Sequence, residues 1–154
     1  MAKNFEVKLA SSDRSDLLKL TDAELKINRS LRQAWFAAGD DLKAEADRAV
    51  LANDKKGRLY IIKRGGRRRK HRASAPGQSH ANLSGALRRS IGWKVRGRDL
   101  EFGYGVTRVK VPYASFLEDG TSRMQPRPTL ANAVKAMTRN IEQHLEGAAM
   151  AEFE

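Results

Sequence analysis

The chain has 154 residues, one domain's worth, long enough to bury roughly two-thirds of its unfolded surface. Thirty Lys and Arg against 18 Asp and Glu leave a net charge of +12, which attracts polyanions or an acidic protein surface and says nothing of fold. With no cysteine, disulfides and thiolate metal sites are excluded; no apolar run approaches the roughly 20 residues that span a membrane, and MAKNFEVKLA lacks a signal-peptide core. A soluble protein that acts, or is assembled, where it is made is expected. Its core should be modest and built from Ala, Leu and Val, since only 6% of residues are aromatic.

Phe5-Glu6-Val7-Lys8-Leu9 alternates and predicts a short strand in an N-terminal arm over residues 1–20, broken by Ser11, Ser12, Asp13 and Ser15. Thr21-Asp22-Ala23-Glu24 has the form of a capping box, in which Thr21 bonds the amide three residues on while Glu24 reaches back. Ile27, Leu31, Ala34, Trp35, Ala38, Leu42, Ala46 and Ala49 then recur at helical spacing. They predict a helix over 21–52, roughly 45 Å long at 1.5 Å per residue. Arg29, Arg32, Asp40, Lys43, Asp47 and Arg48 take its far side, so one stripe is buried. The alanines permit close approach of another helix, and Gly39 is a candidate bend.

Asn53-Asp54-Lys55-Lys56-Gly57 stops the helix, and residues 58–62 (RLYII) read as a short strand. Residues 63–72 (KRGGRRRKHR) then hold seven Lys and Arg in ten positions and no apolar side chain. Residues 73–82 (ASAPGQSHAN) are small, polar and Pro-Gly punctuated, so 63–82 is expected to be a long, mobile or extended basic loop. A loop of that length in a small domain is usually functional or disordered.

Ser84 is placed to cap a short turn bearing Leu87 and Ile91 on one face. Residues 92–96 (GWKVR) and 99–104 (DLEFGY) flank Gly97-Arg98 as a hairpin, and Val106 to Val111 alternates as a third antiparallel strand ended by Pro112. Residues 113–128 (YASFLEDGTSRMQPRP) pass from an apolar run through the turn Glu118-Asp119-Gly120-Thr121 into a helix over 128–146. Leu130, Val134, Met137, Ile141 and Leu145 mark its buried face, with Pro128 near its first position and Gly147 just past its end. The tail beyond should fray. The fold class is α+β, with a long N-terminal helix and a C-terminal helix packed on a small antiparallel sheet in a single domain, residues 83–127 forming the sheet region.

No catalytic residue, metal or cofactor is expected. His71, His80 and His144 match no metal-ligand spacing and read as solvated, and Ser84 and Ser115 lack triad partners in any recognisable order. Glu118 and Asp119 are adjacent and point apart, and Gly65-Gly66 lacks the Gly-Lys context of a phosphate cradle. The chemical signal is Lys63, Arg64, Arg67, Arg68, Arg69, Lys70 and Arg72. Such residues give salt-sensitive contact to a phosphate backbone, or dock on acidic protein, or stay solvated. Base reading needs a helix or ribbon in a groove, or stacking aromatics, and a loop has neither.

Two blocks taken together resemble a known family. Residues 73–91 (ASAPGQSHANLSGALRRSI) are similar to its "APG…TG-L-R-S-I" segment, and Tyr113-Ala114, Phe116, Glu118, Gly120-Thr121, Met124 and Arg127-Pro128 to its "YA-x-F-x-E-x-GT…M…RPF" segment. The family is that of the head–tail joining, or tail-completion (neck), proteins of bacteriophages with long non-contractile tails, and the resemblance covers roughly residues 20–146. Asp119 departs from it where an apolar or aromatic residue is common, Thr129 where Phe is frequent, and the arginine-rich stretch is more basic than the family requires.

The resemblance implies a non-enzymatic virion protein, assembled in the host cytoplasm, that forms a homo-oligomeric and six-fold ring around the DNA channel. Its partners would be portal-side connector or head-closure proteins and tail-terminator or tail-tube proteins, with genomic DNA in the channel and no membrane. Tyr113, Glu118, Gly120, Thr121, Arg127 and Pro128 would form the turn and assembly motif. Glu118 would accept from the Thr121 amide or from Arg127, setting the angle between sheet and last helix. The other reading is a basic accessory protein contacting a nucleic-acid backbone.

Overall fold

The structure, a computed structural model, describes residues 11–52, 54–97, 99–107, 109 and 111–150. The strand expected at Phe5 and the tail from 151 lie outside them. The fold is α+β: N-terminal and C-terminal helices with two separate antiparallel ribbons of two strands each, where a single small sheet was expected.

Helix α1 (Ser11–Leu51) has 41 residues, about 60 Å at 1.5 Å per residue. It begins well before Thr21, so the expected capping box lies inside the helix. Ser-Ser-Asp, which breaks a strand, is equally the chemistry that starts a helix, and Leu17, Leu18 and Leu20 behind it are good helix formers. Ala34, Ala38, Leu42, Ala46 and Val50 are buried, every fourth residue. Gly39 serves packing: a Cβ there would lie 2.3 Å from Cδ2 of Trp93. The indole also meets Phe36 edge-on at 5.2 Å and donates to Asp40 Oδ1 at 3.2 Å.

Residues 59–72 are ordered as a hairpin, which corrects the expected basic loop. Strands β1 (Leu59–Arg64) and β2 (Arg67–Arg72) pair from Leu59↔Arg72 to Arg64↔Arg67. Gly65 and Gly66 turn the chain at φ 57° and 74°, the left-handed pair that a two-residue hairpin turn requires. The signal was Gly-Gly between two strand-length runs; the charge of the second run obscured it, although in an exposed ribbon charge does not oppose strand formation. Residues 73–82 have no regular structure, yet Ser74, Ser79 and His80 in them are buried.

Helix α2 (Ala86–Ser90) leads into β3 (Ile91–Arg96), which pairs with β4 (Asp99–Tyr104) as the sequence predicts. Gly85, at φ 76°, occupies the N-cap, so Ser84 does not. The expected third strand is absent among the described residues. Gly105, at φ 71°, bonds back to Ser90 O at 2.7 Å, and the chain then crosses the ribbon with Thr107 packed over Gly92. Arg98, Arg108 and Lys110 lie outside the described residues.

Helix α3 (Ala114–Asp119) replaces the expected apolar run, and α4 (Leu130–Met150) lies along α1. The core gathers Ala46, Val50, Ile91 and Ala133, with Phe102, Tyr104 and Leu130 against it. Helix α4 continues through Gly147, where the sequence predicts a stop. Ala148 beyond it is half-buried.

Candidate assembly hinge and basic hairpin

The two blocks of the sequence signature interlock. From the first, Ser74 O accepts from Arg127 Nε at 3.1 Å, the Gly77 amide donates to Pro126 O at 3.0 Å, and the His80 amide donates to Thr129 Oγ1 at 3.1 Å. Between α3 and α4 the chain is folded tightly on itself. The Thr121 amide donates to Met124 O at 2.7 Å, the Met124 amide returns to Thr121 O at 3.2 Å, and the Arg127 amide donates to Leu117 O at 2.7 Å. Gly120 permits this by sitting at φ 79°, in the left-handed region that favours glycine. A Cβ there would meet Met124 O at 2.7 Å and Pro126 N at 2.9 Å.

Glu118 was expected to accept from Thr121 or Arg127; instead it caps the last helix. Its Oε2 accepts from the Thr129 amide at 2.9 Å and its Oε1 from the Ala131 amide at 2.9 Å. These are donors that the first turn of a helix leaves open, and a carboxylate there also opposes the helix dipole. Arg127 instead reaches Ser74 and Met124 Sδ. Pro128 precedes Thr129, whose carbonyl accepts from the Ala133 amide at 3.0 Å, so the helix starts at Leu130, two residues after the proline. Tyr113 is the exposed N-cap of α3, and Thr121 contributes its backbone and accepts from the Arg123 amide.

Behind the hinge is a polar cluster that the sequence did not reveal. His80, read as solvated, is 3% exposed, and Thr129, where the resembled family often has Phe, is 0% exposed. Thr129 Oγ1 lies 2.7 Å from His80 Nδ1, and Tyr104 Oη donates to Glu118 Oε2 at 3.2 Å. Burial, reinforced by the Lys55 charge, pushes His80 down to about 4, so the ring is neutral near pH 7. Thr129 Oγ1 accepts from the His80 amide and also lies against Nδ1, so one hydroxyl ties the backbone and the ring of His80 to α4, while Nε2 is a buried atom without a hydrogen-bond partner among the described residues. Burial, more than the Glu118 charge, pushes the Tyr104 hydroxyl above its usual range and keeps it a donor. The third histidine, His144 on α4, is not free in solvent either: its Nε2 lies 2.8 Å from Asp41 Oδ2 on α1.

An open cavity of about 370 Å³ lies beside the hinge, lined by His80, Leu83, Leu87, Tyr113, Leu117 and Arg127 among others. Leu83, Tyr113 and Phe116 leave apolar surface exposed around α3, Phe116 at 57%. Lys55, which donates to Ala49 O at 2.6 Å near the end of α1, is held below its usual range by burial, partly offset by Asp54.

The hairpin carries the other predicted residues. Pleating puts Lys63, Arg68, Lys70 and Arg72 on one face and Arg67 and Arg69 on the other; the side chain of Arg64 lies outside the described residues. Lys63 and Arg68 are like charges directly opposite, an arrangement that disfavours the ribbon. No acidic residue occurs between Asp54 and Asp99, and among the described residues no carboxylate pairs with Lys63, Arg67, Arg68, Arg69, Lys70 or Arg72. At the base, the Gly57 amide bonds Ala73 O and the Ala73 amide bonds Arg58 O, which fastens the ribbon to the body. Leu59, Tyr60 and Ile61 are exposed on it, Ile61 at 67%.

Compared with protein-family models, curated proteins and solved structures, the chain matches none. The functional reading therefore rests on these residues and on the resemblance that two of its segments carry.

Proposed function

We propose that the chain is a structural subunit of a bacteriophage neck, forming a ring that joins the head connector to the tail. The observation that carries this reading is the interlock of residues 73–91 with residues 113–128: the segments that resemble neck proteins bond each other at Ser74–Arg127 and Gly77–Pro126. A hinge whose capping, turn and clamp are made by its own signature residues holds surfaces at a fixed angle, which is what a subunit in a closed ring requires. The exposed apolar side chains around α3 suit burial between copies. In this reading the chain is no enzyme, and the hairpin meets either DNA in the channel or an acidic neighbouring ring. The test is in the particle. Purified virions should contain the chain, native mass spectrometry should give a ring, and particles made without it should be filled heads separate from tails. Joined, infectious particles without the chain overturn the reading.

The second reading, a basic accessory protein that contacts a nucleic-acid backbone, is favoured by one observation, the unpaired charge of the hairpin. Nucleic-acid binding by a chain that is absent from virions would favour it.

A further inference from the structure

We propose that the β1–β2 hairpin is a duplex-DNA-binding arm that enters the major groove tip first. This goes beyond the ring reading and does not need it, because it stands on the geometry of the ribbon alone.

Lys and Arg occupy both faces of the ribbon, so the surface it fits has negative charge on two sides. A flat acidic protein surface satisfies one face and leaves the other in solvent. A duplex groove is walled by phosphates on both sides, and the B-form major groove, about 12 Å wide, admits a two-stranded ribbon. The tip agrees with this. Gly65 and Gly66 have no side chain, and nothing lies within 4 Å of where a Cβ would be, so the leading end is the narrowest part of the arm. Lys63 and Arg68, directly opposed, repel each other in the free protein, and phosphates on either side turn that repulsion into attraction. The deep, narrow major groove of A-form RNA does not accept such an arm. Recognition is of the backbone, so it is independent of base sequence.

The test uses the purified full-length chain and three labelled probes: a 30-base-pair DNA duplex, the RNA duplex of the same sequence and poly-L-glutamate. Fluorescence anisotropy is read from 50 to 200 mM salt. With about six phosphate contacts, DNA affinity should fall by about 10³-fold over that range, and both other probes should bind more weakly at every salt concentration. The triple variant Arg67→Gln, Arg68→Gln, Arg69→Gln should retain its circular-dichroism spectrum and lose about half of the salt slope. An unchanged slope in that variant overturns the proposal, as does RNA or polyglutamate bound as tightly as DNA. Ring formation is read separately by mass, so either idea can fail alone.

Discussion

At the scale of single residues, Gly120 and Glu118 bear the hinge. Gly120→Val puts a β-branched residue at φ 79° and drives its Cβ into Met124 O. Strain of this kind costs about 1–3 kcal/mol, and the contact with backbone adds to it. Chemical denaturation should show the loss, and on the proposed neck reading heads and tails should remain unjoined in particles; a variant as stable as the parent would mean the turn is not strained. Glu118→Ala leaves the Thr129 and Ala131 amides and the Tyr104 hydroxyl without their acceptor. A cost of about 2 kcal/mol is expected, a fall in Tm of about 4–8 °C for a chain of this size. His80 sets a pH dependence. Its folded value of about 4 lies below the ordinary 6.5, so the unfolded chain takes up the proton first as pH falls. The stability from keeping His80 neutral is present above pH 6.5 and lost between 6.5 and 4, with a ceiling of roughly 3 kcal/mol for a shift of that size. His80→Asn, whose side-chain amide can bond Thr129 Oγ1 in either sense and does not titrate, should flatten Tm against pH across that window.

At the scale of elements, Gly39 shows how two local rules compete. Alanine gains about 1 kcal/mol over glycine in a helix interior, which alone predicts that Gly39→Ala stabilises α1. The added Cβ would lie 2.3 Å from the Trp93 ring, and overpacking costs about 1–3 kcal/mol, so the net effect is destabilising. Thermal unfolding decides it, and Gly39→Ala in a Trp93→Leu background should recover the helix gain. Elements whose periodicity reports their own packing were legible in the sequence: α1 from Ala34 onward and the β3–β4 ribbon. The face of α4 was legible only in part, since Val134, expected to be buried, is exposed and Ala133 beside it is buried instead. The basic hairpin was not, because charge was taken as a sign of irregular backbone when Gly65-Gly66 already specified the turn. The third strand was read from alternation at Val106 to Val111, which does not register that Gly105 turns the chain across the ribbon. Within the hinge the signature residues were legible as a group. Their bonds were not, since Glu118 meets Thr129, Ala131 and Tyr104 only once α4 and β4 are packed beside α3.

At the scale of the whole molecule, the hairpin contributes charge and the body contributes stability. The two share few contacts beyond the bonds at Gly57 and Ala73. Substituting Arg67, Arg68 and Arg69 with Glu should therefore leave Tm within about 2 °C, as surface changes usually do, while on the proposed neck reading it abolishes DNA retention or docking in particles. Normal virion yield from that variant would show that the arm is dispensable. The grip on α1 has a different consequence. Its buried residues recur every four positions, whereas a helix turns every 3.6, so the stripe winds about 40° further at each step and about 160° from Ala34 to Val50. Such a thread admits a false seating: advance the helix by about 6 Å with a 40° twist and each buried residue lands where its neighbour sat. Were the stripe all alanine, the two seatings would be nearly equivalent. Leu42 prevents this, because a shift in either direction drives its side chain into the space of Ala38 or Ala46, both fully buried. One leucine thus acts as the tooth that gives the longest element of the fold a single axial position.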